Sequence, residues 1–402
     1  MTATPTTDNR LTELDWVRIA AFGLLILYHV GMFYVSWDWH VKSPQPVPAL
    51  EPWMQLLSPW RMSLLFVVSG AATALLVERA GGASIAGARS RRLLLPLLFG
   101  MAVIVPAQPY LEVVEKFGYG GSYVDFLGRY FTADASFCRG NSCLPLPTWN
   151  HLWFVPYLWV YTMLLAALRW GGGWAASPRW RALSRGARLL WLPCLLFAAV
   201  RLLLLLPFPA THNLVRDWFN HALYGPMFVL GFVLFGPRDD RHGAWAAAVR
   251  WRWLALVLSV LALAGMPWAL RQAGGWDALP PWAQQPWLAI GALRHWLPIV
   301  AILGFARLHL RGRDGPLRRT LTDAVFPFYI VHQTVIVVAA HHLARLGWPQ
   351  PVEGAALVLL TATACAASYA LVRRVRWLRP WFGLAPARKV HDNMFREATE
   401  QT

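Results

Sequence analysis

Long apolar runs dominate the chain, and their length restricts it to one class of fold. A helix that crosses a bilayer needs about 20 mostly apolar residues, because its backbone polar groups must be satisfied inside the segment. Of the 402 residues, 57% are hydrophobic and 14% are charged, whereas soluble domains carry about 25% charge. The sequence therefore predicts an all-α integral membrane protein, a single polytopic bundle of about ten transmembrane helices within residues 15–375. The ten predicted spans are roughly 15–35, 60–78, 93–110, 150–170, 189–208, 221–236, 253–270, 288–307, 321–342 and 354–372.

The net charge of +17 favours a membrane topology over nucleic-acid binding. Basic residues concentrate in the cytoplasmic loops of membrane proteins. With the N-terminal segment 1–14 inside, 27 of the 37 basic residues fall in cytoplasmic segments and 10 fall outside. The predicted orientation therefore places both termini, including the C-terminal tail 376–402, in the cytoplasm.

This orientation leaves three longer loops, rich in Pro, Trp and Gly, on the outer face. Cys138 and Cys143 share one of them, in CRGNSC. A disulfide between them is expected if that loop faces an oxidising compartment. No further cysteine pair completes a zinc site, so no metal is expected. The three loops are 36–59, 111–149 and 271–287.

Arg18 and His29 form the sharpest pattern in the first span, LDWVRIAAFGLLILYHVGMF. A separation of eleven residues rotates them by about 20°, so they share a helix face about 16 Å apart. Arg18 would lie near the cytoplasmic surface and His29 near the middle of the bilayer. An ionisable residue at that depth is a functional candidate, and a neutral imidazole is a natural general base. The alternative is a histidine satisfied by a hydrogen bond between helices.

A second pattern, ARSRRLLLP, clusters Arg89, Arg91 and Arg92 at the entry to the third span. Such clusters commonly do no more than obey the positive-inside rule. The functional alternative is a phosphate site, because guanidinium groups bind phosphate oxygens in a bidentate manner. Further polar side chains fall in or beside apolar runs towards the outer half of the bundle. Together they predict a hydrophilic cavity there, although each alone also fits a structural role. They are Arg61, His151, Trp153, Arg201, Tyr329 and His332.

Together these segments resemble the acyltransferase-3 family of integral membrane acyltransferases. Arg18 and His29 match its Arg-x10-His pattern in the first helix, and Arg89 and Arg92 match its Arg-x-x-Arg in the third. The stretches LFVVSG, HLWFV and FPFYIVHQT also resemble family segments. The resemblance covers about residues 11–375.

The resemblance implies an O-acyltransferase of the bacterial inner membrane, with a cytoplasmic acyl-CoA as donor and a hydroxyl on the outer face as acceptor. His29 would be the general base, and Arg18, Arg89 and Arg92 would bind the CoA phosphates. Within the family, DWHVKS and WRMSLLFVVSG most resemble members that succinylate periplasmic glucans. The preferred prediction is therefore transfer from succinyl-CoA to a glucan. The predicted substrate-binding residues are Arg61, His151, Trp153, Tyr329 and His332.

Two other functions remain open at this point. One is acetyl transfer from acetyl-CoA to lipopolysaccharide or exopolysaccharide. The other is a membrane transporter, which would explain intramembrane Arg and His residues but not the joint pattern of Arg18, His29 and the basic cluster. Transporters also often contain paired repeats, and none is evident. The sequence leaves open whether His29 acts as a base or is itself acylated, and it does not indicate an oligomeric state.

Overall fold

The protein is described by a computed structural model covering residues 11–80, 82–140, 142–169, 174–237 and 239–386. Helices make up nearly all of the regular structure there. They are α1 (Thr12–Tyr34), α2 (Glu51–Ala80), α3 (Gly82–Phe99), α4 (Ala107–Phe117), α5 (Tyr123–Phe131), α6 (Phe154–Arg169), α7 (Arg188–Leu204), α8 (Trp218–Leu230), α9 (Ala244–Val260), α10 (Met266–Gln272), α11 (Pro281–Ile290), α12 (Leu293–His309), α13 (Pro316–Leu343) and α14 (Gln350–Arg374).

Nine helical stretches within these residues are long and apolar enough to cross a membrane. A tenth arises if the short helix Pro178–Ser184 and α7, which meet at a 99° bend, form one span. The prediction of an all-α polytopic bundle is therefore confirmed. Three spans continue through single π-helical turns, at Gly100–Ile104, Gly231–Phe235 and Leu261–Gly265.

Several predicted boundaries were wrong, because hydropathy drops at charged residues and prolines where the backbone hydrogen bonding continues. The second span begins at Pro48 rather than at residue 60, and the span formed by α9 and α10 begins at Ala244 rather than at residue 253. Helix α3 starts at Gly82, so the arginine cluster lies inside this helix and not at its entry. The predicted loop 111–149 contains the end of α4, helix α5 and a two-stranded hairpin, β1 (Cys138–Arg139) with β2 (Ser142–Cys143), closed by the Cys138–Cys143 disulfide.

Small residues let the helices of the bundle approach closely. A side chain at Gly70 of α2 would place its Cβ 2.0 Å from the Phe228 carbonyl oxygen, and one at Gly231 would place it 2.0 Å from the Val67 carbonyl oxygen. Membrane helices commonly associate through such small residues, because lipid supplies no hydrophobic drive to bring helices together. Gly70, within LFVVSG, is therefore a packing residue.

Ion pairs fasten the start of α1 to α12 and α13 at the predicted cytoplasmic end. The fully buried Arg318 side chain pairs with Asp15 and with Asp314, the latter at 2.7 Å, and Arg307 pairs with Glu13. The hydrogen bonds from the Arg318 and Arg319 side chains hold the pKa of the Asp314 carboxyl well below its usual range. Asp15 and Glu13 thus connect the first span to the last third of the chain.

Most of the two predicted terminal segments falls outside the described residues, namely 1–10 and 387–402. The described parts are ordered elements rather than tails. Helix α1 already begins at Thr12, within the predicted segment 1–14. The helical turn Arg379–Phe382 follows α14, and Phe382 packs with its ring centroid 5.3 Å from that of Phe99.

Candidate active site

Two histidines from opposite ends of the chain meet inside the bundle. Helix α1 packs against α13 and brings His29 Nδ1 to 2.9 Å from His332 Nε2. The two rings are stacked, with centroids 5.0 Å apart and planes at 23°. The predicted catalytic residue therefore has a hydrogen-bonded partner 303 positions away.

The contacts of His332 determine which nitrogen of His29 carries a proton. His332 Nδ1 lies 2.9 Å from the Tyr329 carbonyl oxygen and 3.2 Å from that of Phe328. Carbonyl oxygens only accept, so His332 Nδ1 carries the hydrogen and its neutral ring presents a lone pair at Nε2. His29 Nδ1 must then donate to that lone pair, which leaves the lone pair of neutral His29 on Nε2. His29 is partly exposed, whereas His332 is only 1% exposed.

His151 joins this pair from the helical turn Asn150–Trp153 that precedes α6. Its ring is perpendicular to that of His332, at a centroid distance of 5.1 Å. Its Nε2 donates to the carbonyl oxygens of Tyr329 and Ile330 at 3.1 and 3.2 Å, and its Nδ1 accepts from Gln108 at 3.3 Å. The Tyr329 hydroxyl in turn donates to the His151 carbonyl oxygen at 2.5 Å. The hydrogen-bonding groups of His151 and Tyr329 are thus engaged within the protein.

A chain of hydrogen bonds that was not predicted from the sequence continues from this group. Gln333 Nε2 donates to Gln108 Oε1 at 3.0 Å and to His40 Nε2 at 3.1 Å. His40 Nδ1 therefore carries the hydrogen and donates to Glu112 at 2.6 Å, and Glu112 also accepts from Lys116 at 2.8 Å. Signals for two of these residues were present: Gln333 follows His332 in FYIVHQT, and His40 lies in DWHVKS.

Trp39 and Arg61 complete the surroundings of His29. The Trp39 ring is parallel to the His29 ring within 12°, at a centroid distance of 6.5 Å. The Arg61 guanidinium lies 3.5 Å above the ring centroid of Tyr28, the residue before His29. The Tyr28 ring centroid is in turn 5.9 Å from that of His29.

Two of the predicted polar residues lie in other surroundings. Trp153 packs against His212, at a centroid distance of 4.4 Å, and against Tyr224, at 5.6 Å. Arg201 donates to the Leu288 carbonyl oxygen at 2.8 Å and to His295 Nε2 at 3.2 Å. From the sequence, Arg201 and Arg61 had the same interpretation, but in the structure they have different partners.

Three arginines gather at the other end of α1. Arg18 donates to the Thr322 carbonyl oxygen at 3.2 Å and lies 3.7 Å from Asp15. Arg89 donates to Thr73 Oγ1 at 2.6 Å and lies within electrostatic range of both Arg18 and Arg92. Asp15 lies nearer to Arg318 than to Arg18. Like charges held close together create a positive potential that attracts polyanions such as phosphate groups.

Comparisons with known proteins concern the chain as a whole rather than single residues of the site. A family model described as "Acyltransferase domain" matches residues 11–372. The chain is 25% identical over 233 residues to the proteins named "Glucans biosynthesis protein C" from Salmonella paratyphi B, Salmonella agona and Salmonella dublin. Each match covers 55% of this chain and 57% of the relative, so the chain aligns with little more than half of each relative's length. No solved structure matches.

Proposed function

The chain belongs to the acyltransferase family defined by this domain, and from that premise we propose that it transfers an acyl group from cytoplasmic acyl-CoA to a hydroxyl of a cell-envelope glycan. The observation that carries the proposal is the His29–His332 pair, which leaves the His29 lone pair on Nε2 of the more accessible ring. His29 is the proposed general base. His332, His151 and Tyr329, whose polar atoms are engaged within the protein, are proposed to position it rather than to bind substrate.

The proposed chemistry needs one proton acceptor. His29 Nε2 takes the proton of the acceptor hydroxyl as its oxygen attacks the thioester carbonyl carbon. The carbon–sulfur bond breaks, and the CoA thiolate leaves and recovers the proton from His29. During the step the imidazolium of His29 keeps its Nδ1 hydrogen bond to His332. We favour this direct transfer over an acyl-histidine intermediate because it requires a single role of His29.

Arg18, Arg89 and Arg92 are the proposed binding residues for the CoA phosphates. Their mutual proximity supports this role. Arg18 and His29 are about 16 Å apart along α1, so phosphates at the arginines would leave the thioester arm to extend towards His29. The proposed orientation places the arginines at the cytoplasmic surface of the bacterial inner membrane, with both termini in the cytoplasm and the acceptor entering from the outer side.

The preferred substrates are succinyl-CoA and a periplasmic glucan. The names of the relatives support a glucan acceptor. The partly exposed Trp39 beside His29 supports a sugar acceptor, because aromatic rings present an apolar face together with a polar edge. The alternative within the same enzyme class is acetyl transfer to lipopolysaccharide or exopolysaccharide.

The test is a transfer assay with labelled acyl-CoA, purified glucan and membrane vesicles containing the protein. We expect His29→Ala to reduce transfer by about 100- to 10,000-fold, the range for loss of a general base. The matched control is His342→Ala, which removes an exposed histidine of α13. Unchanged transfer by His29→Ala contradicts the catalytic assignment, and movement of intact solute without acylation would show a transporter.

The same assay tests the donor site. Arg89→Gln combined with Arg92→Gln should raise the KM for acyl-CoA about tenfold with a smaller effect on kcat, because the charges bind phosphates away from the reacting atoms. Arg91→Gln, which removes an exposed charge from the same helix, is the control. An unchanged KM in the double variant would reduce the cluster to a topological role.

A further inference from the structure

Arg61 carries a buried charge for which the described residues supply no anion. Its side chain is 6% exposed, and neither Nε nor Nη1 has a hydrogen-bond partner. Among the described residues, Arg61 forms no ion pair with a carboxylate. Burying an unpaired charge is energetically costly, and the cation–π contact with the Tyr28 ring offsets only part of that cost. The unpartnered N–H groups therefore indicate an anion that the chain itself does not provide.

The position of Arg61 restricts what that anion can be. The Arg61 guanidinium lies 3.5 Å above the Tyr28 ring centroid, and that centroid is 5.9 Å from the centroid of the His29 ring, so the free N–H groups lie in the neighbourhood of the proposed base. The CoA phosphates, held at Arg18 on the same helix face, would be about 16 Å away. The thioester and the acceptor hydroxyl are neutral. Before the reaction begins, the remaining source of negative charge is the free end of the acyl group.

Resting on the proposed function, we infer that Arg61 binds the free carboxylate of a dicarboxylic acyl group and selects that class of donor. Guanidinium groups match carboxylates in shape and charge, and such charge-assisted hydrogen bonds are among the strongest in proteins. An acyl group that ends in a methyl would leave the N–H groups of Arg61 unpaired. Polar groups left unpaired in a buried site give strong discrimination against the substrate that lacks their partner.

The competing role for Arg61 is stabilisation of the oxyanion that forms at the thioester carbonyl. An oxyanion donor acts on every acyl group alike, whereas a carboxylate donor acts only on dicarboxylic ones. Comparing succinyl-CoA with acetyl-CoA therefore separates the two roles.

The experiment measures kcat/KM for both donors in wild type and in Arg61→Gln. We expect succinyl transfer to fall about 100-fold or more and acetyl transfer to fall less than about threefold. Arg345→Gln, which removes an exposed charge, is the matched control and should leave both values unchanged. Equal losses with both donors, or no loss with either, would overturn the inference. Wild-type protein that transfers neither group would instead refute the proposed function.

A binding measurement on wild type keeps the inference testable if Arg61→Gln does not fold. Non-reactive thioether analogues of CoA can carry either a terminal carboxylate or a methyl of similar size. The carboxylate analogue should bind at least about tenfold more tightly, as expected for one charge-assisted hydrogen bond to a buried guanidinium. Equal affinities would overturn the assignment of Arg61.

Discussion

His332→Ala gives the most direct test of how the bundle prepares His29 for chemistry. The substitution removes the Nε2 acceptor that lies 2.9 Å from His29 Nδ1. Neutral His29 then no longer has one favoured tautomer, and its imidazolium loses the hydrogen bond that would stabilise it during proton transfer. Hydrogen bonds to charged groups contribute about 1.5–3 kcal/mol. We therefore expect kcat to fall about 10- to 150-fold.

The KM for acyl-CoA should change little in His332→Ala, because the arginines proposed to bind CoA lie at the other end of α1. His332→Gln should recover part of the lost rate, since its amide oxygen supplies an acceptor for His29 Nδ1. The transfer assay with purified protein gives both constants, and His342→Ala is the control on the same helix. A rate within twofold of wild type, or equal damage by Ala and Gln together with a raised KM, would refute the positioning role.

Two further predictions concern groups outside the membrane spans. Asp217 is buried and accepts hydrogen bonds from Tyr157, Asn220 and two backbone N–H groups. Asp217→Ala should therefore destabilise the protein by about 3 kcal/mol or more in denaturant titrations. The control Asp239→Ala, at an exposed position, should change stability by less than about 1 kcal/mol, and equal effects of the two substitutions would contradict the structural role of Asp217. Burial, with a smaller contribution from nearby Lys116, lowers the pKa of Lys42 to about 8, so labelling of Lys42 by acetic anhydride should have its midpoint near that pH. A midpoint near the ordinary value of 10.5 would refute it.

The helical architecture could be predicted in advance because it depends on local sequence. A run of apolar residues of membrane length has one way to satisfy its backbone, so the spans were found even where their ends were wrong. The eleven-residue separation of Arg18 and His29 likewise fixes a shared face and a distance on any straight helix. Residues Pro48 and Ala244 were missed as starting points because hydropathy does not report where helical hydrogen bonding begins.

The sequence by itself determined that the chain spans a membrane as helices and that His29 shares a helix face with Arg18. Only the tertiary structure brought His332 to His29 and thereby fixed which nitrogen holds the lone pair, because that contact joins helices 303 positions apart. The structure also paired Asp15 with Arg318. It showed that Arg61 has no anionic partner among the described residues, whereas Arg201 donates hydrogen bonds to Leu288 and His295. Residue type and spacing state which groups are available, whereas partners distant in sequence are selected by helix packing.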